Sequence, residues 1–302
     1  MLNKLLGNLK EGSVKIGNSE VEYIAFGRGE IPLVAIPGLS EGLRTIKGTG
    51  KMLWFMYRGL SSTHRVYVIG RKNKLENGYT TSDMADDLAA VMDKLDIVPA
   101  QVMGLSQGGM LAQWLAINYP EKVSKLAIVI SLARQNDTVQ QTIRGWIQMV
   151  IEERFEEFAI DMQEKNFTEK YLKRIRPFYW FLKKMGHPQS KERFLIQAES
   201  CITHNAYEEL SKIKCPTLVI GGGADKIVGG AEVQHEMAEA IKDSTLRVYP
   251  ELGHGAFAEA KDFNDHLYGF FNQKKQLSGE GVTDNFLLGL TSVAAVHLLC
   301  LI

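Results

Sequence analysis

The sequence predicts an α/β domain built on a mostly parallel sheet. Two observations lead to this prediction. Short apolar runs that end in turn or polar residues, as buried parallel strands do, alternate with longer segments whose apolar residues recur at helical spacing. The chain has 302 residues, of which 45% are hydrophobic and 23% charged, so it is long enough for one large domain or one domain with an insertion.

Composition argues against several classes of protein. Lys+Arg and Asp+Glu both number 35, so no basic excess is available to neutralise nucleic-acid phosphates. Cys201, Cys215 and Cys300 are far apart and form no C-x-x-C pair, which argues against a disulfide framework or a zinc site and fits a reducing compartment. The N-terminus lacks the apolar run of a secretory signal, so a cytoplasmic protein is the default expectation. No metal is expected, because the sequence has no H-E-x-x-H or C-x-x-C motif and no cluster of Asp, Glu and His. No cofactor is expected either, because neither 47–51 nor 221–223 has the full spacing of a phosphate or dinucleotide loop.

The alternation can be followed along the chain. Seven segments have the pattern of strands: 20–26, 31–38, 65–71, 100–106, 125–131, 216–222 and 245–251. Residues 80–97 have apolar side chains at helical spacing, with Thr, Ser and Asp available to cap the start of a helix. A second helix is predicted over 108–120, ending near Pro120.

One region, from about 134 to 212, breaks the alternation. It contains no strand-like run and indicates several amphipathic helices rich in aromatic residues: Trp146, Phe155, Phe158, Phe167, Tyr171, Phe178, Tyr179, Trp180 and Phe181. Two interpretations of these side chains remain open. They pack the helices on one another, or some of them face a substrate cavity from a helical cap over the sheet edge.

The stretch "GLSQG" at 104–108 places Ser106 between two glycines, after an apolar strand and before a helix. This G-x-S-x-G spacing is typical of a strained strand–turn–helix that lifts a serine hydroxyl clear of the backbone. A serine hydroxyl is a weak nucleophile near neutral pH, so it needs a base and an acid that orients the base. Without those partners, Ser106 is only a turn residue that packs a helix on a strand.

Candidates for both partners come after later strands. His254 lies in a glycine-flanked loop after the strand at 245–251, whereas the other six histidines lie in polar, helical or apolar-tail segments or directly before a proline. Asp225 follows the strand at 216–222 and three glycines, although an Asp is also common in an ordinary strand-exit turn. The chain order Ser106, Asp225, His254 is that of hydrolases with a nucleophile elbow.

The motifs "AIPGLS", "GLSQGG", "GGGADKIV" and "LGHGAF" together resemble the α/β-hydrolase fold family over residues 15–273. The likeness is greatest to the cap-bearing branch that includes enol-lactonases, small esterases and cofactor-free perhydrolases. It implies a mostly parallel sheet of about eight strands flanked by helices, with the cap inserted after strand six. The expected organisation is a core at 1–133 and 213–273, a helical cap at 134–212, and a linker with an apolar tail at 274–302.

The resemblance also implies an oxyanion hole. One donor is expected to be the backbone N–H of Gln107, at a helix N-terminus, and the second that of Leu39, with Ser40 as the alternative. The chain departs from many family members in having Pro37 before Gly38, where they have His, and Gly229 where they have Pro.

The expected activity is that of a serine hydrolase, which cleaves a small ester or lactone through an acyl-enzyme. A receptor with the same fold, which binds a small molecule and signals to a protein partner, is the alternative, and multiple turnover would distinguish the two. Arg44, Lys47 and Lys51 follow the oxyanion loop and are either solvated or bind a substrate carboxylate.

The C-terminal segment "FLLGLTSVAAVHLLCLI", residues 286–302, carries no formal charge if His297 is neutral. As a helix its 17 residues would span about 25 Å, short of a hydrocarbon core of about 30 Å. Three interpretations remain open: a helix docked on the domain, a C-terminal membrane anchor with Lys274 and Lys275 on the cytoplasmic side, or a disordered extension.

Overall fold

The computed structural model describes residues 6–180 and 187–273. Within them, eight strands form one sheet in the order β1-β2-β4-β3-β5-β6-β7-β8. The first two neighbour pairs, β1–β2 and β2–β4, are antiparallel, and every later pair is parallel. The strands are β1 (Lys10–Ile16), β2 (Ser19–Phe26), β3 (Ile31–Ile36), β4 (His64–Lys72), β5 (Ala100–Leu105), β6 (Val123–Val129), β7 (Thr217–Gly222) and β8 (Ser244–Tyr249). The predicted mostly parallel sheet is confirmed.

Strand β1 is not among the strands that the sequence pattern predicts. Only Val14 and Ile16 of its seven residues are buried, because it is an edge strand that pairs with β2 alone. The other seven strands are those that the sequence predicts, with ends that differ by one or two residues.

Helices cover both faces of the sheet. They are α1 (Ser40–Leu43), α2 (Gly50–Met56), α3 (Thr81–Lys94), α4 (Gln107–Asn118), α5 (Asp137–Ile151), α6 (Phe155–Asn166), α7 (Glu169–Ile175), α8 (Lys191–Thr203), α9 (Ala231–Ala240), α10 (Ala256–Glu259) and α11 (Phe263–Asn272). Thr80 caps α3 in a capping box with Asp83, as the sequence indicates. The helix ends three residues before the predicted boundary, because Asp96 takes a φ of 53° that a helix cannot continue.

The central strands are buried on both faces. In β3, Val34 and Ile36 pack into a core with helices such as α3 and α4, whereas Leu33 and Ala35 pack into a second core with α2 and α11. This alternation is the period of two that a strand imposes on its side chains. Because β3 to β8 run parallel, their carboxyl ends lie at one edge of the sheet, where connecting loops are free to form a site.

The segment between β6 and β7 contains helices α5 to α8 and no strand among its described residues. Several of its aromatic side chains pack on one another. The Phe158 ring makes edge contacts with Trp146 at 5.9 Å and with Phe194 at 5.3 Å, measured between ring centroids. Phe178 and Trp180 are instead about 60% exposed, and Phe181 lies outside the described residues.

Two further expectations concern the chain outside the sheet. The predicted linker and apolar tail, 274–302, lie outside the described residues, as does Cys300. Of the helices at 6–180 and 187–273, none has the length and apolar character needed to cross a bilayer. Cys201 and Cys215 are buried free thiols.

Candidate active site

Ser106 occupies a strained turn between β5 and α4. Its φ is 53° and its ψ is −118°, a conformation that is costly for a residue with a side chain. Its N–H donates to the carbonyl of Val129 on the neighbouring strand at 2.8 Å, which holds the turn in place. An added Cβ at Gly104 would lie 2.2 Å from the carbonyl oxygen of Gly108, and one at Gly108 would lie 2.1 Å from that of Ile36. Both glycines of the G-x-S-x-G motif are therefore required for the close approach of helix and strands.

The structure brings the three predicted side chains together. His254 Nε2 lies 2.9 Å from Ser106 Oγ, and His254 Nδ1 lies 2.7 Å from Asp225 Oδ2. Asp225 and His254 are both buried. An imidazole held in this way has one nitrogen facing a hydroxyl and the other facing a carboxylate, the arrangement needed for a base that removes the hydroxyl proton.

The Asp225 carboxylate is fixed by backbone donors in the loop after β7. Its Oδ1 accepts the N–H of Ile227 at 2.7 Å and that of Val228 at 3.0 Å, so Oδ2 is left for His254. Gly229 follows with a φ of 106°, a conformation that proline cannot adopt. This conformation accounts for the glycine that stands where many family members have proline.

The loop that carries His254 packs against the end of α6. The N–H of Gly255 donates to the carbonyl of Asn166 at 2.7 Å. An added Cβ at Gly255 would lie 2.3 Å from the Phe167 ring, and one at Gly253 would lie 3.2 Å from the Asn166 carbonyl oxygen. The glycines beside His254 therefore allow the loop to approach the helical segment closely.

The two predicted oxyanion donors belong to different parts of the chain. Gln107 is the first residue of α4, and Leu39 immediately precedes α1 in the loop after β3. An added Cβ at Gly38 would lie 3.3 Å from the carbonyl oxygen of Leu105 and 3.4 Å from Ser106 Cβ, which shows how closely this loop passes the serine.

A cavity of about 70 Å³ opens at Ser106 and His254. Its lining includes Leu39, Ser40 and Met110 from the core, and Val139, Ile143, Trp146, Met162 and Asn166 from the helical segment, with Ile227 and Val228 from the loop after β7 and Phe257 from α10. No Lys, Arg, Asp or Glu lines it among the described residues. Trp146 therefore combines both interpretations of the aromatic segment, because it packs on Phe158 and also faces the cavity.

The three cations after the oxyanion loop do not line this cavity. Lys47 and Lys51 are exposed, and Arg44 is half-buried. Lys47 instead lies at a separate pocket with Glu11, Glu20 and other residues of β1 and β2. The geometry favours the interpretation that these cations do not bind a carboxylate. Over the described ranges, no three metal-ligating side chains gather into a cluster that could hold an ion.

Sequence reasoning missed Arg71, whose guanidinium donates to the Gln107 side chain at 3.1 Å. A single arginine at the end of a strand carries no signal that distinguishes it from a solvated one. Sequence reasoning also missed the side chains that α5 and α6 contribute to the cavity, apart from the aromatic set that includes Trp146.

Comparison with known proteins points to one family. A family model described as the alpha/beta hydrolase fold matches residues 57–261. The chain is 27% identical over 173 residues to 3-oxoadipate enol-lactonase 2 of Acinetobacter baylyi, a match that covers 56% of this chain and 62% of the relative. The chain therefore spans less than two thirds of that relative's length.

Solved structures agree on the fold. The crystal structure of the enol-lactonase from Burkholderia xenovorans superposes with a TM-score of 0.75 at 20% identity, covering 87% of this chain and all of that one. An esterase from Exiguobacterium antarcticum superposes with a TM-score of 0.73 at 20% identity, again over 87% of this chain and 100% of the other.

Proposed function

Because the chain belongs to the α/β-hydrolase fold family, we propose that it is a serine hydrolase that cleaves a small, uncharged carboxylic ester or lactone. One observation carries the proposal: an unbroken hydrogen-bonded series runs from Ser106 Oγ through His254 to the buried carboxylate of Asp225. The lactonase and esterase names of its relatives support the same reaction class.

The geometry supports a two-step mechanism. His254 Nε2 takes the proton of Ser106 as Oγ attacks the acyl carbon, and the resulting oxyanion accepts the N–H groups of Gln107 and Leu39. The imidazolium then gives its proton to the leaving alkoxide, which leaves an acyl-enzyme. Asp225 holds Nδ1–H of His254 so that Nε2 is the basic nitrogen, and it stabilises the imidazolium. A water deprotonated by His254 releases the acid in the second step.

The cavity lining supports an uncharged substrate. Helices α5 and α6, which belong to the segment 134–212 that we interpret as the cap, contribute apolar side chains such as Ile143 and Met162. A carboxylate on the substrate would lose its hydration there without meeting a cationic partner, and burial of an unpaired charge is costly. An apolar acyl group gains from the same surroundings.

The direct test is a panel of p-nitrophenyl esters of increasing acyl length and of lactones, each in a neutral form and in a form that bears a carboxylate. Wild type is compared with Ser106→Ala and with the control Ser61→Ala. The Ser61 hydroxyl donates to the carbonyl of Arg58, and Ser61 does not line the cavity. We expect multiple turnovers with the neutral compounds, normal rates for Ser61→Ala, and a loss of about 1000-fold or more for Ser106→Ala.

Three results would contradict the proposal in whole or in part. Ester turnover by Ser106→Ala at the wild-type rate would exclude Ser106 as the nucleophile. A single slow turnover by wild type, without a second cycle, would instead favour the receptor interpretation. A preference for the carboxylate-bearing compounds would refute the uncharged substrate while leaving the reaction class intact.

A further inference from the structure

The buried guanidinium of Arg71 bonds the residue that follows Ser106. Arg71, near the end of β4, is 3% exposed. Its Nη2 donates to the carbonyl of Pro37 at 2.5 Å and to Oε1 of Gln107 at 3.1 Å. One side chain therefore bonds the backbone just before Gly38 and Leu39, and also the residue that follows the nucleophile. These are the two segments that carry the proposed oxyanion donors.

A second set of bonds, centred on Glu41, holds the segment that follows β3. Glu41, which is 1% exposed, accepts the backbone N–H of Arg71 at 3.2 Å and Nη2 of Arg193 at 2.5 Å through Oε1. Its Oε2 accepts Nε2 of Gln197 at 3.0 Å, and its backbone carbonyl accepts Nη1 of Arg193 at 2.6 Å. Helix α8, which carries Arg193 and Gln197, therefore also holds the segment after β3.

The Gln107 side chain joins the two sets. Its Nε2 donates to the carbonyl of Gln197 at 2.8 Å and to Oγ of Ser200 at 3.1 Å, while its Oε1 accepts Arg71. The amide is therefore bonded at both ends, and the first turn of α4 is tied to α8 as well as to β4.

The network also carries an unbalanced charge. It contains two guanidinium groups, on Arg71 and Arg193, and one carboxylate, on Glu41. Burial lowers the pKa of Arg71 to about 10, which still leaves it protonated at neutral pH. Burial raises the pKa of the neighbouring Cys201 thiol to about 12, so that thiol does not neutralise it. Nε and Nη1 of Arg71 are buried and meet no acceptor within the described part of the chain.

We propose that Arg71 is a positioning residue for the oxyanion hole, an inference that rests on the proposed serine-hydrolase function. Its bonds to Pro37 and Gln107 hold the N–H groups of Leu39 and Gln107 at a fixed separation. Its positive charge is only partly offset by the Glu41 carboxylate. That charge therefore stabilises the negative oxyanion that the donors bind. Donors fixed before the reaction need no reorganisation when the oxyanion forms, which is the source of their catalytic value.

The test compares Arg71→Met with Lys72→Met. Lys72 is the next residue of β4, and its ammonium bonds Asp87 and Tyr79, so its loss also removes a cation with polar partners but leaves the oxyanion loop untouched. For each variant, kcat and KM are measured on a neutral ester. The affinities for an alkyl boronic acid and for the matching carboxamide are measured as well. The boronic acid forms a tetrahedral adduct on serine, and the carboxamide does not.

We expect Arg71→Met to lower kcat by about 10- to 100-fold, somewhat less than loss of an oxyanion donor outright, with little change in KM. Boronate affinity should fall by a similar factor and carboxamide affinity should not change. Arg71→Lys, which keeps the charge and one bond, should recover part of the loss, and Lys72→Met should resemble wild type.

Equal kcat values for Arg71→Met and Lys72→Met, or parallel losses of boronate and carboxamide affinity, would overturn the role of Arg71. If Arg71→Met does not fold, Gln107→Met tests the same link. This variant keeps the backbone N–H and removes only the side-chain amide that bonds Arg71 and α8. Unchanged kcat and boronate affinity in Gln107→Met would likewise overturn the role of Arg71. A wild type without ester turnover would refute the proposed function itself, a result distinct from an active wild type that is insensitive to Arg71.

Discussion

The imidazole of His254 lies within hydrogen-bond distance of the Ser106 hydroxyl, at 2.9 Å, although 148 positions separate the two residues. The contact results from the sheet order. Ser106 comes directly after β5 and His254 shortly after β8, and these strands are parallel through β6 and β7. Their carboxyl ends therefore meet at one edge, where Asp225, after β7, completes the series.

Replacement of Asp225 by Asn should lower kcat by about 10⁴-fold and leave the fold intact. An Asn side-chain oxygen can still accept the N–H groups of Ile227 and Val228, but its NH₂ group would face His254 Nδ1 and favour the wrong tautomer. Circular dichroism and ester kinetics check both parts. The exposed Asp243→Asn is the matched control and should keep normal turnover. Near-normal turnover in Asp225→Asn would mean that another acid orients the imidazole.

Replacement of Gly108 by Ala should destabilise the chain by about 1–3 kcal/mol or more, because the added Cβ would lie 2.1 Å from the Ile36 carbonyl oxygen. Gly145→Ala is the matched control within α5, where an added Cβ meets no atom within 4 Å in the described part of the chain outside its local helix backbone. The control should gain about 0.5–1 kcal/mol from its better helix propensity. Urea unfolding of both variants measures the difference, and a stable Gly108→Ala would contradict the close approach at the elbow.

His204 should make the free energy of unfolding depend on pH. Burial lowers its pKa to about 3, whereas an unfolded histidine titrates near 6.5. The contribution is therefore fully present above about pH 6.5, and between that pH and about pH 3 the unfolded chain binds a proton that the folded chain does not. Stability should fall by about 1.4 kcal/mol per pH unit from this residue as the pH decreases through that window.

The measurement is denaturant unfolding at several pH values below neutrality. His204→Asn, which can still bond Thr81, should show a shallower pH dependence than wild type, and His235→Asn, at an exposed position of α9, should not. Equal slopes in wild type and His204→Asn would show that the buried imidazole is not responsible.

Removal of residues 276–302 should leave ester hydrolysis unchanged and improve solubility. The end of α11 is already held by the core, because Lys125 Nζ donates to the carbonyls of Phe270 at 2.8 Å and Gln273 at 2.6 Å. Backbone that the core holds in this way does not need the residues beyond it to keep its position.

Fractionation of the full chain then distinguishes the interpretations of the tail: a salt-resistant membrane pellet supports an anchor, and a soluble monomer excludes one. Lost activity on truncation would place the tail in the catalytic domain.

Much of the fold and of the site could be predicted because both depend on local patterns. Buried parallel strands are apolar runs, and Ser106, Asp225 and His254 each come after one of them beside glycines. Strand β1 could not be predicted in this way, since an edge strand needs few apolar residues. Arg71 could not be either, because its partners Pro37 and Gln107 come from distant parts of the chain and only the folded sheet brings them together.

Reaction with a fluorophosphonate, read by intact mass and by mapping of the labelled peptide, tests the central claim most directly. The account predicts one adduct per chain on Ser106, formed in step with the loss of ester hydrolysis, and no adduct on Ser106→Ala. Unimpaired labelling of Ser106→Ala, or full activity of a chain labelled at Ser106, would contradict it.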